Sequence, residues 1–398
     1  MEYNFSRSMS NLKPSAIREI FKSLTDPSII SFSAGNPSVE SFPVKEIGEI
    51  SKEIFDSPTL SAQALQYSIT EGYSPLITQV KNRLKNKFNI GNDFDDLIIT
   101  SGGQQGIDLT CKILCNENDT IICEKPSFIG SLNAFRSYGV NLYGVELRDD
   151  GMDIEMLENA LKTKNNVKLI YTISTFQNPT GITTSLEKRK QIYSLAKKYN
   201  VLILEDNPYG ELRFSGEDIP TLKSLDTEGI VIYSGSFSKI LSAGMRVGFL
   251  CAPKPIISKV VVAKQTNDVH TNIFFQMICS EFIKRYNLDD HIANIRKLYG
   301  RKCKIMLDSL ESTVDNRIKF TRPEGGIFFW CSLPEGYDSA EFAKVCINNK
   351  VAIVPGTAFL TEIGQSEPGF RLNYSMPTDD EIVKGITYLS NAINQFIK

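Results

Sequence analysis

A lysine follows a short apolar run in the middle of the chain, and its neighbours are those that a reactive amine needs. Ile230-Val231-Ile232-Tyr233 leads into Ser234-Gly235-Ser236-Phe237-Ser238-Lys239, and Gly244-Met245-Arg246 follows. A lysine amine attacks a carbonyl only after losing its proton. A nearby cation and partial desolvation both favour that loss. Ser236, Ser238 and Arg246 supply the hydroxyls and guanidinium that a phosphate ester requires. The pattern suggests an imine-forming lysine over a phosphate cradle, as pyridoxal phosphate would need. Two other readings fit this segment alone. Most lysines are solvated surface groups. Ser236-Phe237-Ser238-Lys239 also satisfies S-x-x-K, the nucleophile motif of penicillin-binding proteins, but that chemistry needs S-D-N and K-T-G elements, which the chain lacks.

Four further segments could carry chemistry. Thr100-Ser101-Gly102-Gly103-Gln104-Gln105-Gly106 joins a strand to a helix with apolar positions at Ile107, Cys111 and Leu114. Glycines at such a junction let backbone N–H groups approach an anion at a helix N-terminus. The segment is not G-x-G-x-x-G, so a dinucleotide site is poorly supported. Glu205-Asp206-Asn207-Pro208-Tyr209 ends an apolar run, where open α/β sheets bind ligands. A carboxylate there could pair with a protonated pyridine nitrogen; an acidic turn is the plain alternative. Gln177-Asn178-Pro179-Thr180-Gly181 is a turn in any reading, with Asn178 as a side-chain donor. Arg371, in Gly369-Phe370-Arg371-Leu372, sits in an otherwise apolar strand and needs an anion. A planar carboxylate suits it, and so does a structural salt bridge.

These segments must be positioned by a regular frame. Strands are expected at Leu97–Thr100, Thr120–Cys123, Val167–Ile173, Val201–Leu204, Ile230–Tyr233 and Val247–Cys251. Several are apolar without alternation, as strands covered on both faces are. Pro75 to Phe88 puts Leu76, Val80, Leu84 and Phe88 on one helical stripe. Ser185 to Tyr199 does the same with Ile192, Leu195, Ala196 and Tyr199, and Thr184 with Glu187 forms a capping-box pattern at its start. Alternating strands and helices imply an α/β fold, a mostly parallel sheet sandwiched by helices. Residues 1–45 read as an arm with a short helix at Pro14–Leu24 and a segment joining the small domain. Residues 46–285 read as a large cofactor-binding domain. Residues 286–398 read as a smaller α+β domain, with helices near His291 to Ser309 and at Asp379–Phe396, and strands at Gly326–Ser332 and Ala352–Val354.

The 398 residues exceed what one core usually supports. The net charge of −2 gives no reason to expect nucleic acid or an anionic membrane as partner. Lys81-Asn82-Arg83 and Lys188-Arg189-Lys190 read as solvated helix faces. The eight cysteines lack metal or redox spacing and read as buried thiols of a reducing cytoplasm. No metal site is expected. No apolar run is long enough to span a membrane, and no signal-peptide core precedes the first segments.

Order and spacing together match one family. The chain resembles the fold-type I pyridoxal-phosphate enzymes, and within them the class I/II aminotransferases of the 2-aminoadipate and kynurenine subgroup. The likeness runs from about Ser15 to the C-terminus. It is supported by Ser33-Ala34-Gly35-Asn36-Pro37, Leu65-Gln66-Tyr67, Thr70-Glu71-Gly72-Tyr73, Pro323-Glu324-Gly325-Gly326 and Val354-Pro355-Gly356. The resemblance implies pyridoxal 5'-phosphate as cofactor and Lys239 as its Schiff-base lysine. It implies Asp206 at the pyridine nitrogen, Asn178 and Tyr209 at the phenolic oxygen and Phe128 stacked on the ring. Gly103, Gln104, Ser236, Ser238 and Arg246 are implied at the phosphate, with Tyr67 reaching it from the other subunit of a homodimer. Arg371, Gly35 and Asn178 are implied at the substrate α-carboxylate. Arg18 stands where some relatives use an arginine toward a distal carboxylate. Tyr73 and Phe328 are candidates to favour aromatic or branched side chains. Gln104-Gln105 departs mildly, since many relatives carry a smaller residue at one of these positions.

The implied function is ping-pong transfer of an amino group from an L-amino acid of 2-aminoadipate, aromatic or branched aliphatic type to a 2-oxo acid, with 2-oxoglutarate as the expected acceptor. β-Lyase, decarboxylase or racemase chemistry shares the scaffold. An effector-sensing regulator domain is the non-enzymatic alternative. Such regulators carry a basic winged-helix domain ahead of the fold, and a fold beginning near residue 15 is expected to leave no room for one. His270 and His291 carry no assigned role.

Overall fold

The computed structural model describes residues 3–6, Met9 and residues 26–397. The short helix at Pro14–Leu24 and Arg18 therefore lie outside the described residues. The strands are β1 (Ile30–Ser31), β2 (Asp95–Thr100), β3 (Thr120–Lys125), β4 (Asn141–Arg148), β5 (Gly151–Met152), β6 (Val167–Thr172), β7 (Leu202–Asp206), β8 (Val231–Ser236), β9 (Gly248–Pro253), β10 (Lys319–Phe320), β11 (Phe328–Ser332), β12 (Val351–Ala352), β13 (Val354–Pro355) and β14 (Gly369–Asn373).

The central sheet runs β2-β9-β8-β7-β6-β3-β4-β5. From β8 to β4 every pairing is parallel. Strand β9 is antiparallel to both β8 and β2, and β5 is antiparallel to β4. The sheet is thus mostly parallel, as expected. Ile122, Ile170, Ile203 and Val231 pack on one core, and Ile121, Leu169, Leu204 and Ile232 on the other. Covering on both faces removes the alternating pattern of a half-exposed strand. The helix Ser74–Phe88 buries Leu76, Val80 and Leu84 of the expected stripe, and Phe88 at its end is half-buried. A smaller antiparallel sheet runs β10-β11-β14-β13, packed with the helices Leu288–Thr313, Ser339–Asn348 and Asp379–Phe396. Strand β1 pairs in parallel with β12, which ties the start of the described chain to that C-terminal unit.

Two local expectations are corrected. The helix Leu186–Tyr199 is capped by Ser185, whose side chain accepts from the Lys188 N–H. That places Glu187 one position short of the capping-box partner, so Thr184 caps nothing there and is buried. Arg189 is no solvated side chain. It is fully buried and donates to the carbonyls of Thr184, Ser174 and Pro220 and to the Thr175 hydroxyl. All eight cysteines are free thiols, buried except for the partly buried Cys115. Among the described residues no helix is long and apolar enough to cross a membrane.

Strand β8 carries the lysine segment, and a buried ion cluster sets where it begins. Asp226 accepts from the N–H groups of Gly229, Ile230 and Val231 at 2.9–3.1 Å and from Lys223 Nζ at 2.9 Å. Lys223 Nζ also donates to Asp95 at the start of β2, at 2.7 Å. Burial opposes the Asp226 charge, but Lys223 and the N–H donors outweigh it and hold the carboxyl below its usual pKa. This stabilisation is fully present above the ordinary carboxylate range and is lost as pH falls through the folded value. Asp226→Ala is expected to cost about 3–5 kcal/mol, the usual loss for breaking a buried pair. Urea unfolding at neutral pH checks this, and the gap from wild type should narrow at acid pH.

Candidate active site

The C-terminal ends of the strands meet at one edge of the sheet. Asp206 is the last residue of β7, opposite Ser234 of β8. Lys239 lies three residues past the end of β8, Asn178 follows β6, and Phe128 follows β3. Strand β2 runs in the direction of β8 because both are antiparallel to β9. Its end therefore delivers Gly102 and the helix Gly103–Leu114 to the same edge. A cavity of about 370 Å³ opens there. Gly35, Gly103, Gln104, Phe128, Asn178, Asp206, Tyr209, Ser236, Ser238, Lys239, Arg246 and Arg371 all line it. Asn36, Ile107, Ile173, Pro208 and Ala243, which sequence reasoning left out, complete the wall.

Lys239 is only partly buried, and its Nζ donates to the Gly35 carbonyl at 2.5 Å. Desolvation, then the charges of Arg371 and Arg246, lower its pKa to about 8. Asp206 is buried, and desolvation pushes its pKa up to about 7 even though Tyr171 donates to it at 3.1 Å. An acid held that way favours a cationic partner. The Asn178 amide donates to the Tyr209 hydroxyl at 3.3 Å, while its oxygen accepts from Arg371 at 2.9 Å. Arg371 is 3 % exposed and stacks over Phe328 at 4.2 Å. It also donates to the Ser33 carbonyl at 2.8 Å, and its Nε has no partner. Burial lowers its pKa to about 10, and no carboxylate acts on it. This arginine is positioned by neutral groups and lacks an anion.

The opposite end of the cavity is a cradle. Ser236 Oγ donates to Ser238 Oγ at 2.9 Å and accepts from the Ser238 N–H at 3.1 Å. Arg246 donates to the carbonyls of Ala243 and Ser101 at 3.3 and 3.4 Å. Gly102 has φ of 81°, and a Cβ there would strike the Arg246 guanidinium. A Cβ on Gly248 of β9 would come within 2.7–2.8 Å of the Gly102–Gly103 backbone. Only glycine at 248 lets the strand pass so close behind the loop.

Sequence reasoning missed Tyr171, Gly248 and Glu124. Glu124, fully buried at the end of β3, accepts from the Thr172 hydroxyl at 2.5 Å, the Ile173 N–H at 3.2 Å and the Gln177 amide at 3.1 Å. Gln177 in turn donates to the Pro126 carbonyl at 2.8 Å. One carboxyl thus ties together the loops bearing Phe128 and Asn178. Desolvation raises its pKa to about 7. Phe328 backs Arg371 and Tyr209 instead of lining the cavity. Tyr73 does not line it either; its N–H donates to Gln276 at 2.8 Å. Tyr67 is 82 % exposed and sits edge-on to His270, outside its own chain's cavity.

The family model "Aminotransferase class I and II" matches residues 27–389. The chain belongs to that family. The aromatic-amino-acid aminotransferase 1 of Thermococcus litoralis is 39% identical, over 100% of this chain and 95% of that protein. The 2-aminoadipate transaminase of Thermus thermophilus is 35% identical, over 98% of this chain and 96% of that protein. A kynurenine aminotransferase of Pyrococcus horikoshii, solved with pyridoxamine phosphate, superposes with a TM-score of 0.95 at 37% identity, covering 99% of this chain and 98% of that one. The fold is that of the fold-type I enzymes, and the protein is an aminotransferase that uses pyridoxal 5'-phosphate. The cavity suits such a group: it offers hydroxyls and an arginine bonded only to carbonyls for a phosphate, a buried carboxyl for a ring nitrogen and an amine for an aldehyde.

The reactive form of Lys239 is the neutral amine, so its share rises as pH passes through the folded pKa. Capture of pyridoxal phosphate by apoprotein, followed by absorbance, should rise with a midpoint near 8. A midpoint at the ordinary lysine value of 10.5 would show that the amine is not desolvated.

Proposed function

We propose that the chain transfers the amino group of an L-amino acid with an apolar, aromatic or 2-aminoadipate-type side chain to a 2-oxo acid, 2-oxoglutarate being the acceptor of choice, in two half-reactions. The observation that carries this is Arg371, buried without a carboxylate, opening into the cavity that also holds the Lys239 amine. Pyridoxal 5'-phosphate, when bound, supplies an aldehyde for the amino group and a ring that draws electrons from the substrate Cα.

The chain's own residues do the rest. Ser236, Ser238, Arg246 and the backbone at Gly103 and Gln104 hold the phosphate. Asp206 keeps the ring nitrogen protonated, and Tyr171 orients Asp206. Asn178 and Tyr209 donate to the phenolic oxygen, and Phe128 covers a ring face. Arg371 seats the α-carboxylate with Asn178 and the backbone at Gly35. Lys239 Nζ, neutral in a large share of molecules near pH 8, takes the Cα proton and returns it. The cavity offers one carboxylate seat, so the first oxo acid leaves before the second enters. This supports a ping-pong order.

Leu65, Tyr67 and Ile69 are 75 %, 82 % and 55 % exposed. Large apolar residues so open at alternate positions support a homodimer in which Tyr67 serves the neighbouring site. The buried free thiols support a cytoplasmic setting. Arg18 is proposed for a distal carboxylate, since Lys239, Arg246 and Arg371 are otherwise engaged. Comparing kcat/KM for acidic and apolar donors in wild type and Arg18→Ala decides this; equal losses remove the role.

Lys239→Ala is expected to carry no borohydride-reducible lysine adduct and to lose a factor of about 10²–10⁴ in the half-reaction. Normal half-transamination by that variant would overturn the assignment. Arg371→Leu should lower kcat/KM by the equivalent of about 2–5 kcal/mol, as for removing one partner of a buried charge pair. An unchanged KM for the amino acid would remove Arg371 from the carboxylate seat.

A further inference from the structure

Behind the phosphate cradle, away from the cavity lining, lies a charge cluster in which Lys264 is buried and Asp268 partly exposed. The Lys264 side chain is wholly buried near the end of the helix Lys254–Gln265. Its amine donates to Asp268 at 2.7 and 2.9 Å and to Gln105 Oε1 at 2.8 Å. Gln105 Oε1 also accepts from the Ser101 N–H at 2.7 Å. Gln105 Nε2 donates to Asp268 at 2.7 Å and to Asn267 at 2.9 Å. The Ser101 hydroxyl donates to Asp268 at 2.7 Å, and the Ser101 carbonyl accepts from Arg246. Both ends of the Gln105 amide are used twice, so its orientation is dictated. This gives the large side chain at 105 a reason that its sequence position alone did not.

The cluster also reaches outward. The N–H groups of Asn267, Asp268 and Val269 all donate to the Lys264 carbonyl. Val269 has φ of 66°, a left-handed conformation that β-branched residues rarely adopt. The turn brings His270 against Tyr67, with ring centroids 5.9 Å apart. Beyond it, Gln276 donates to the Thr271 carbonyl and accepts from the Tyr73 N–H, both at 2.8 Å. One turn therefore joins the loop after β2 to the Tyr67–Tyr73 segment. Buried ion pairs are weak stabilisers compared with well-packed apolar groups, and their best-attested use is to specify an arrangement.

We propose that Lys264 and Asp268 are positioning residues that clamp the Ser101–Gln105 loop in its phosphate-holding shape and tie that shape to the Tyr67 segment. This rests on the assignment of that loop to the cofactor phosphate. Neither residue lines the cavity. Each acts through Ser101, Gln105 and Arg246.

The test measures binding, not turnover. Full-length apoprotein, Lys264→Met and Asp268→Asn are each titrated with pyridoxal phosphate and with pyridoxal, which lacks the phosphate. Wild type should prefer pyridoxal phosphate. Each variant should lose about 10–100-fold in affinity for pyridoxal phosphate, as supporting residues do elsewhere, with affinity for pyridoxal nearly unchanged. The stabilisation of each variant by pyridoxal phosphate in thermal unfolding should shrink in step. Equal losses for both compounds would mean general damage and overturn the clamp. So would an unchanged preference in either variant. A wild-type protein with no preference would overturn the phosphate assignment as well. Asp268→Asn keeps the shape of the side chain, so the proposal stays testable if Lys264→Met folds poorly.

Discussion

Three cations, Lys239, Arg246 and Arg371, line one cavity in which Asp206 is the only carboxylate among the described residues. Arg371 is buried, Lys239 partly buried and Arg246 exposed, and gathering like charges at one cavity is unfavourable unless anions offset them. The protein meets this by giving each cation only neutral partners. Lys239 has the Gly35 carbonyl, Arg246 the carbonyls of Ala243 and Ser101, and Arg371 the oxygens of Asn178 and Ser33. Carbonyls orient a cation without neutralising it. The field they leave behind adds to desolvation in lowering the Lys239 pKa and makes the cavity receptive to anions. The two arginine charges thus contribute both to the amine's lowered pKa and to the cavity's preference for anions.

Such a site needs a rigid frame, because the cations do not attract one another. The parallel strands supply it by ending together. Asp206 and Lys239 come from adjacent strands β7 and β8, and Arg371 comes from the second sheet across the cavity. Glu124 performs the finer task. It is a buried carboxyl whose three donors come from strand β6 and the loop that follows it. Asn178, at the tip of that loop, then bridges Tyr209 and Arg371. One side chain therefore connects Tyr209 on one side of the cavity with Arg371 on the other.

Much of this was legible in the sequence, for physical reasons. Strands β6, β7 and β8 showed as apolar runs because both their faces are covered. Lys239, Asp206, Asn178 and Arg371 showed because a charged or amide group at the end of, or within, such a run needs a partner. Strand β4 did not show: Asn141-Leu142-Tyr143-Gly144-Val145-Glu146-Leu147-Arg148 mixes polar and apolar residues, as suits a strand whose outer neighbour is the two-residue β5. The antiparallel direction of β9 is equally silent in an apolar run. Arg189 read as solvated because its carbonyl partners are backbone groups, which every sequence contains. Glu124 and Lys264 were hidden likewise, since what sets them apart is burial, and burial is settled by distant segments.

The two sides of the cradle illustrate that limit. On the cavity side, Ser236, Ser238 and Arg246 fall within one short stretch, so type and spacing revealed them. On the far side, the loop is held by residues more than a hundred and fifty positions away, as in the Ser101–Asp268 bond. Only the fold brings them together. Gly248 belongs with them, because what it permits is an absence: no side chain stands between β9 and the Gly102–Gly103 backbone. The ligand-facing half of this site is written locally and the supporting half is written in the topology. That division is expected wherever a preorganised charge cluster must hold its shape before its ligand arrives.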